Sequence, residues 1–228
     1  MKTVAVTTSA DRAAAASIPF TLAGTNPIPL PCIDIIPVAH DYLEEARAGA
    51  MNVDLIIVSS RRSLDILWPD GPLPATDFAV VGRVTAREVE KRGGAVALVG
   101  SVGSDSLADA LTGRISGKSV MWPHARGADP KPLNRIRAGS TFFMAPVIYE
   151  SVPKQPAATP VDVVTFASPS AVAGWQLSRS LQGETIAVIG ETTKAAVAEA
   201  GAPVAVTAAE PTYQSLANSV AEHLGVSA

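Results

Sequence analysis

Four short turns carry the hydroxyls and glycines of this chain that are best placed for chemistry. Ala167-Ser168-Pro169-Ser170 follows the apolar run Val163–Phe166, and Gly190-Glu191-Thr192-Thr193 follows Ile186–Ile189. Ser59-Ser60-Arg61 follows Leu55–Val58, and Gly82-Arg83-Val84-Thr85 follows Phe78–Val81. One reading is helix capping by Ser or Thr, with an effect of about 0.5–2 kcal/mol per cap. The other notes that turns at the carboxyl ends of parallel strands lie where ligands bind. Helix N-termini there expose free N–H groups and a partial positive charge, which suits carboxylates. Four such turns, two per domain, would grip a polycarboxylate without many lysines or arginines. Both readings stand at this level.

The usual catalytic equipment is missing from the sequence. Gly113-Arg-Ile-Ser-Gly117-Lys118-Ser119 fails as a phosphate loop, because three residues rather than four separate its glycines. Gly100-Ser-Val-Gly103 lacks the third glycine of a dinucleotide fingerprint, and no G-x-S-x-G elbow occurs. No carboxylate pair or Cys/His pair stands out. His40, His124 and His223 are scattered without metal-ligand spacing, so no metal site is expected. This poverty suits a reaction in which the substrate supplies most of the chemistry.

The elements that must position the turns come from a duplication. Val53–Leu67 runs parallel to Val161–Trp175, and Phe78–Leu98 to Ile186–Val206, both at an offset of 108 residues. The second pair shares 8 identities in 21 positions. Val4–Val6, Leu55–Val58, Phe78–Val81, Val96–Val99, Val163–Phe166, Ile186–Ile189 and Val204–Val206 read as strands apolar on both faces, as parallel strands covered by helices require. Thr85–Lys91, Ala171–Leu181, Thr193–Ala200 and Tyr213–Leu224 read as helices, and the helix after Phe20 as a short one. Gly93 and Gly201 follow two of these where a positive φ is expected. The alternation predicts an α/β fold of doubly wound parallel sheets.

Two proline-rich stretches, Asn26–Ala39 and Ala145–Pro160, break the rhythm and read as extended connectors or edge strands. They divide the chain into a discontinuous α/β domain, 1–33 with 154–228, and an inserted α/β domain, 40–140, joined by linkers at 34–39 and 141–153. Two similar lobes facing each other would leave a cleft for a ligand.

Composition narrows the partners. Hydrophobic residues make up 47% of 228, charged residues 17%, and the net charge is −3. No basic face for nucleic acid is expected, and an acidic ligand must be held by local features rather than by the global field. The single cysteine, Cys32, allows no intrachain disulfide. No apolar run reaches the roughly 18 residues of a membrane span, and Thr7, Thr8, Ser9 and Asp11 come too soon for a signal-peptide core. A cytoplasmic protein is the expectation.

Several segments resemble the uroporphyrinogen-III synthases. Phe166-Ala-Ser-Pro-Ser-Ala-Val172 resembles that family's F-T-S-P-S-A-V turn, and Ile189-Gly190-Glu191-Thr192-Thr193 its I-G-x-T-T turn. Glu210-Pro211-Thr212, followed by Ser215-Leu216, resembles its C-terminal E-P-T segment, and Val147-Ile-Tyr149-Glu-Ser-Val-Pro153 its v-Y-x-T-x-P linker. Two departures lie in the first half. Val6-Thr7-Thr8-Ser9 replaces V-T-R-P, and Ser59-Ser60-Arg61-Arg62-Ser63-Leu64 replaces T-S-x-N-A-V. Arg61 or Arg62 is a candidate to restore the lost positive charge, and each reads equally well as a solvated surface residue.

The resemblance implies two flavodoxin-like α/β lobes on a two-stranded linker, with the active site in the cleft between them. It implies a cyclising lyase that needs no cofactor. The linear tetrapyrrole hydroxymethylbilane, with eight carboxylates, loses water from its hydroxymethyl group. The resulting azafulvene is attacked by the substituted α-carbon of ring D, a spiro intermediate forms, and the ring recloses with ring D inverted. Spontaneous closure gives the symmetric type I isomer, so holding the chain is the main task. Tyr149 maps onto the linker tyrosine that is the family's usual candidate to deliver a proton to the leaving hydroxyl, a role open to a phenol. It reads equally well as a tyrosine packed on the linker with its hydroxyl in water. Thr85 and Thr193 map onto the cleft threonines. Substrate contacts are expected at Ser59, Ser60, Gly82, Ser168, Pro169, Ser170, Gly190 and Thr192. A monomer in transient contact with the upstream deaminase is expected, serving haem, sirohaem, cobalamin or chlorophyll formation. The competing readings are a non-catalytic two-lobed binder of an anionic small molecule and a structural partner in a pathway complex.

Overall fold

The computed structural model describes residues 1–101 and 103–226. Val102, inside the Gly100–Gly103 segment weighed above, and the last two residues lie outside the described residues. The chain separates into two compact units, Met1–Ile35 with Ser151–Ala228 and Ile36–Glu150. Both boundaries fall within the proline-rich stretches.

The inserted unit is built on a five-stranded parallel sheet of β4 (Leu55–Val58), β5 (Asp77–Val81), β6 (Ala95–Gly100), β7 (Ser119–Met121) and β9 (Phe142–Met144). Its order is β6-β5-β4-β7-β9. Counting strands within the unit gives 3-2-1-4-5, a doubly wound order, rather than the 2-1-3-4-5 of flavodoxin. Helices α2 (His40–Ala50), α3 (Arg61–Leu67), α4 (Arg83–Lys91), α5 (Gly103–Leu111) and α6 (Pro130–Gly139) connect the strands. Leu55, Ile57, Ala79, Val120 and Trp122 meet Leu107 of α5 and Ile136 of α6 in one core.

The discontinuous unit repeats the arrangement. Its parallel sheet runs β13-β12-β11-β1-β2, from β1 (Thr3–Val6), β2 (Asn26–Pro29), β11 (Val163–Phe166), β12 (Ile186–Val188) and β13 (Val206–Thr207). Strands β4, β5 and β6 thus find their repeat partners in β11, β12 and β13, with β7 and β9 answered by β1 and β2. Alternation sends Ala5, Val164 and Phe166 to one face and Val4, Val6 and Val163 to the other. The first face is covered by α7 (Pro169–Gln176) and α8 (Glu191–Glu199), the second by α1 (Ala10–Leu22) and α9 (Tyr213–His223). Trp175 packs edge-on against Phe166 at 6.0 Å, and each such buried large side chain contributes about 1.5–3 kcal/mol.

One staple fixes both sheets at the same repeat position. Asp54 accepts hydrogen bonds from the Ser119 N–H (2.7 Å) and hydroxyl (2.6 Å), and Asp162 accepts them from the Thr3 N–H and hydroxyl, each at 2.7 Å. Asp54 and Asp162 are partners at the 108-residue offset. The Thr3 N–H, then its hydroxyl, then Lys2 hold the Asp162 carboxyl down at about 2. The Ser119 hydroxyl and N–H likewise lower that of Asp54.

Several expectations need correction. Val96–Val99 lies in β6, an edge strand whose residues alternate between exposed and half-buried, with Val99 44% exposed, so it is not buried on both faces. The helix expected to Leu181 stops at Gln176. Phe20 sits inside α1 rather than ahead of a helix, and Pro19 lies within that same helix, where it mimics a breaker. Residues 142–144, expected in the linker, form β9 of the inserted sheet. The connectors β3 (Ile33–Pro37) and β10 (Val147–Pro153) gain a third strand, β8 (His124–Ala125), parallel to β10.

Candidate functional site

In the inserted unit, β4 runs into Ser59 and Ser60 before α3. Ser60 is the N-cap, its Oγ accepting the Arg62 N–H at 3.3 Å. The Ser59 Oγ accepts the Trp122 indole N–H at 3.4 Å. Because β4 and β7 are strands 1 and 4 of the 3-2-1-4-5 order, Ser59 and Trp122 stand at the point where the winding reverses. A cavity of about 50 Å³ opens there, lined by Ser59, Ser104, Trp122, His124, Asp129 and Leu133. One strand over, Gly82 caps α4 with φ +77°, a left-handed conformation that a side chain would strain.

Tyr149 lies on β10 opposite Ala125 of β8, and its carbonyl accepts the Arg126 N–H at 2.8 Å. The residue is 8% exposed, and its ring lies under the Arg62 guanidinium, 5.8 Å from carbon to centroid. Arg62 therefore ties Tyr149 to Ser60, and Trp122 ties the adjacent Ser59 to the strand end of β7. Arg61 is engaged elsewhere. It pairs with Asp65 at 3.5 Å, Asp65 with Arg92 at 2.7 Å, and Arg92 with Glu88 at 2.7 Å. The Arg92 hydrogen bond lowers the Glu88 carboxyl below its ordinary range.

In the discontinuous unit, Ser168 is the N-cap of α7. Its Oγ accepts the Ala171 N–H at 3.3 Å and lies 3.1 Å from the Ser170 Oγ. Pro169 occupies the first helical turn, where its missing N–H is no loss. Gly190 caps α8 with an extended backbone at φ 173°, so unlike Gly82 it is not held to glycine by its φ.

Capping accounts for Ser60 and Ser168 but not for the two threonines. Thr85 and Thr193 sit on the first turns of α4 and α8, 7% and 3% exposed, and neither helix has a side-chain cap bond. Neither hydroxyl makes a hydrogen bond among the described residues. Thr192 is exposed to solvent. The turns bring each threonine to the head of a helix beside a glycine cap in both units.

Two features escaped sequence reasoning. Thr7, Thr8 and Ser9 are buried at the end of β1, next to β11, where the winding of the discontinuous sheet reverses, and the Thr7 hydroxyl donates to the Thr165 carbonyl at 2.6 Å. The clue was a run of three hydroxyls directly after an apolar strand. The inserted unit also holds a cavity of about 690 Å³, lined by Val38, Tyr42, Glu45, Arg126, Met144 and Val147. It lies beside the strand of Tyr149, and its size is that of small-molecule sites. Among the described residues no cluster of three or more His, Cys, Asp or Glu could hold a metal ion, and no helix is long and apolar enough to cross a membrane.

Two doubly wound α/β units carrying hydroxyl-rich turns at the carboxyl edges of their sheets, on a chain that passes from one to the other twice, define a class of two-unit α/β protein. Solved structures of that class resemble this chain throughout. A mutant uroporphyrinogen III synthase of Thermus thermophilus matches at 17% identity over 99% of each chain, with a TM-score of 0.64. The uroporphyrinogen-III synthetase of Helicobacter pylori matches at 15% identity over 94% of this chain and 95% of its own, with a TM-score of 0.67. These likenesses speak for the fold. A search of curated proteins finds no match. The sequence profile of the uroporphyrinogen-III synthase HemD family matches residues 15–218, and the chain belongs to that family.

Proposed function

We propose that the chain is a cyclising lyase that converts hydroxymethylbilane to uroporphyrinogen III with loss of water and inversion of ring D. Membership of the family over 15–218 carries the reading. The turns support it, since unengaged hydroxyls and helix-head N–H groups suit a ligand of eight carboxylates without adding to a net charge of −3. Ser59, Ser60, Gly82, Ser168, Pro169, Ser170, Gly190 and Thr192 are proposed to contact substrate, with Thr85 and Thr193 orienting its carboxylates.

Tyr149 is the proposed proton donor. Its O–H bond breaks, the proton joins the departing hydroxyl, and water leaves with the C–O electron pair. The proton is recovered when the last pyrrole regains its aromaticity after ring closure. Holding the chain so that the substituted α-carbon of ring D attacks first is worth more than the acid step, because uncatalysed closure already proceeds to the wrong isomer. A cytoplasmic monomer, in transient contact with the deaminase that makes its substrate and serving haem or related tetrapyrroles, completes the reading.

The test is isomer analysis. Hydroxymethylbilane is generated in situ by its deaminase, this protein is added, and the oxidised porphyrin isomers are separated. Mostly type III is expected. Type I alone, as in the blank, would overturn the reading and leave the non-catalytic binder.

A further inference from the structure

The Tyr149 ring is buried, yet no hydrogen bond among the described residues holds its hydroxyl. The position of the phenol oxygen is therefore set by what touches the ring. One of those contacts is charged. Arg62 places its guanidinium over the ring face at 5.8 Å, within the range of a cation–π interaction. The main chain of Arg62 is itself fixed, because its N–H donates to the Ser60 Oγ at the head of α3. One side chain thus spans from the β4–α3 turn to the connector strand β10. The neighbouring Arg61 cannot substitute, since it is committed to the Asp65–Arg92–Glu88 network.

We infer that Arg62 is the positioning residue for Tyr149, clamping the ring face so that the hydroxyl edge meets the leaving group. The inference rests on the proton-donor role proposed for Tyr149. The charge balance favours it. When the phenol gives up its proton to the departing hydroxyl, the phenolate that remains has a cation against its ring. That attraction grows as the proton leaves, so it acts on the reacting state more than on the bound substrate. Truncating Arg62 should then lower kcat and leave KM nearly unchanged.

Arg62→Met and Arg62→Lys would be made in the full chain, each alone and with Tyr149→Phe. kcat and KM for type III formation would be measured beside the NMR signals of tyrosine ring carbons. Only Tyr42, Tyr149 and Tyr213 contribute to that spectrum. In Arg62→Met, kcat should fall about tenfold, KM should stay within about twofold, and the Tyr149 ring signal should move. Arg62→Lys, which keeps a cation, should recover most of the loss. In the Tyr149→Phe background, Arg62→Met should cost less than about twofold more. An unmoved ring signal would overturn the clamp, whatever the activity. A rise in KM at constant kcat would overturn it too, because Arg62 would then bind substrate. A moved signal with a fully active Tyr149→Phe would leave the contact standing, remove Tyr149 as donor, and with it the positioning role.

Discussion

Gly174 is the position where a single methyl group should do most damage. It lies on α7, and a Cβ built there would sit 1.9 Å from the Cys32 carbonyl oxygen and 2.8 Å from that of Lys154. A favourable separation is about 3.5 Å, so something must move by about 1.6 Å. Neither obstacle is a side chain that can turn away. The Cys32 oxygen is also held, because it accepts the Lys154 N–H at 2.7 Å. Moving it loses about 1 kcal/mol of hydrogen bond on top of overpacking worth about 1–3 kcal/mol. In an open helix, Gly→Ala would instead stabilise by about 1 kcal/mol. The clash exceeds that gain, and Gly174→Ala should destabilise by about 2 kcal/mol net. For a chain of this length that is a fall in Tm of about 4–8 °C. Thermal melting followed by circular dichroism reads it directly. Ala173→Ser, one residue away and exposed, should stay within about 0.5 kcal/mol of the parent. A Gly174→Ala protein as stable as the parent, or more so, would refute the argument that α7 and the connectors meet backbone to backbone.

Tyr149→Phe should lower turnover about a hundredfold with little change in Tm, because the lost hydroxyl makes no hydrogen bond among the described residues; full turnover would remove Tyr149 from the mechanism. Thr193→Ala should lower kcat/KM about tenfold or more, and the exposed Thr192→Ala by less than about twofold; equal small effects would mean that neither touches substrate. Acid should loosen both sheets. The Asp162 carboxyl titrates at about 2 when folded and near 3.9 when unfolded, so its contribution is full above about pH 4 and is lost as pH falls through 2. Asp54→Asn with Asp162→Asn should flatten the fall of Tm between about pH 4 and pH 2, and an unchanged slope would exclude the staples as its cause. Burial pushes the Cys32 thiol up to about 12, so a thiol reagent at pH 8 should label the unfolded chain and spare the folded one.

The sequence is clearest where two levels agree. Leu55–Val58 and Val163–Phe166 read as strands because they are apolar on both faces and recur at the repeat offset, and both are central strands covered by helices. The sequence is less clear for α1, α2, α5 and α6, none of which stands out in it. Pro19 reads as a breaker, and the Ala-rich face of α1 buries only Ala13, Ala16 and Phe20. α2 carries Asp41, Glu44, Glu45 and Arg47 around its buried Leu43, Ala46 and Ala50. Around the candidate site, the hydroxyl turns are legible because capping residues mark where helices begin. Which hydroxyls cap and which stay unengaged is not legible, since Thr85 and Thr193 sit three residues beyond the cap position that Ser60 and Ser168 occupy, and only the folded chain fixes where each helix starts. The division of labour between Arg61 and Arg62 is invisible for a similar reason. Adjacent residues on a helix point about 100° apart, and only the packed neighbours decide that one meets Asp65 and the other Tyr149.

The insertion of one unit into the other also sets a timetable for synthesis. Residues 36–150 are contiguous, and every strand of their sheet is translated, and so emerges, before β11. The amino-terminal strand β1, by contrast, must wait for Val163–Thr165 to pair along that edge. The nascent chain therefore carries β1, α1 and β2 as an unfinished half-sheet while the inserted unit closes. Of its two edges, only the β2 side carries proline, at Pro27 and Pro29, which cannot donate to a foreign strand, and the β1 side stays open until β11 arrives.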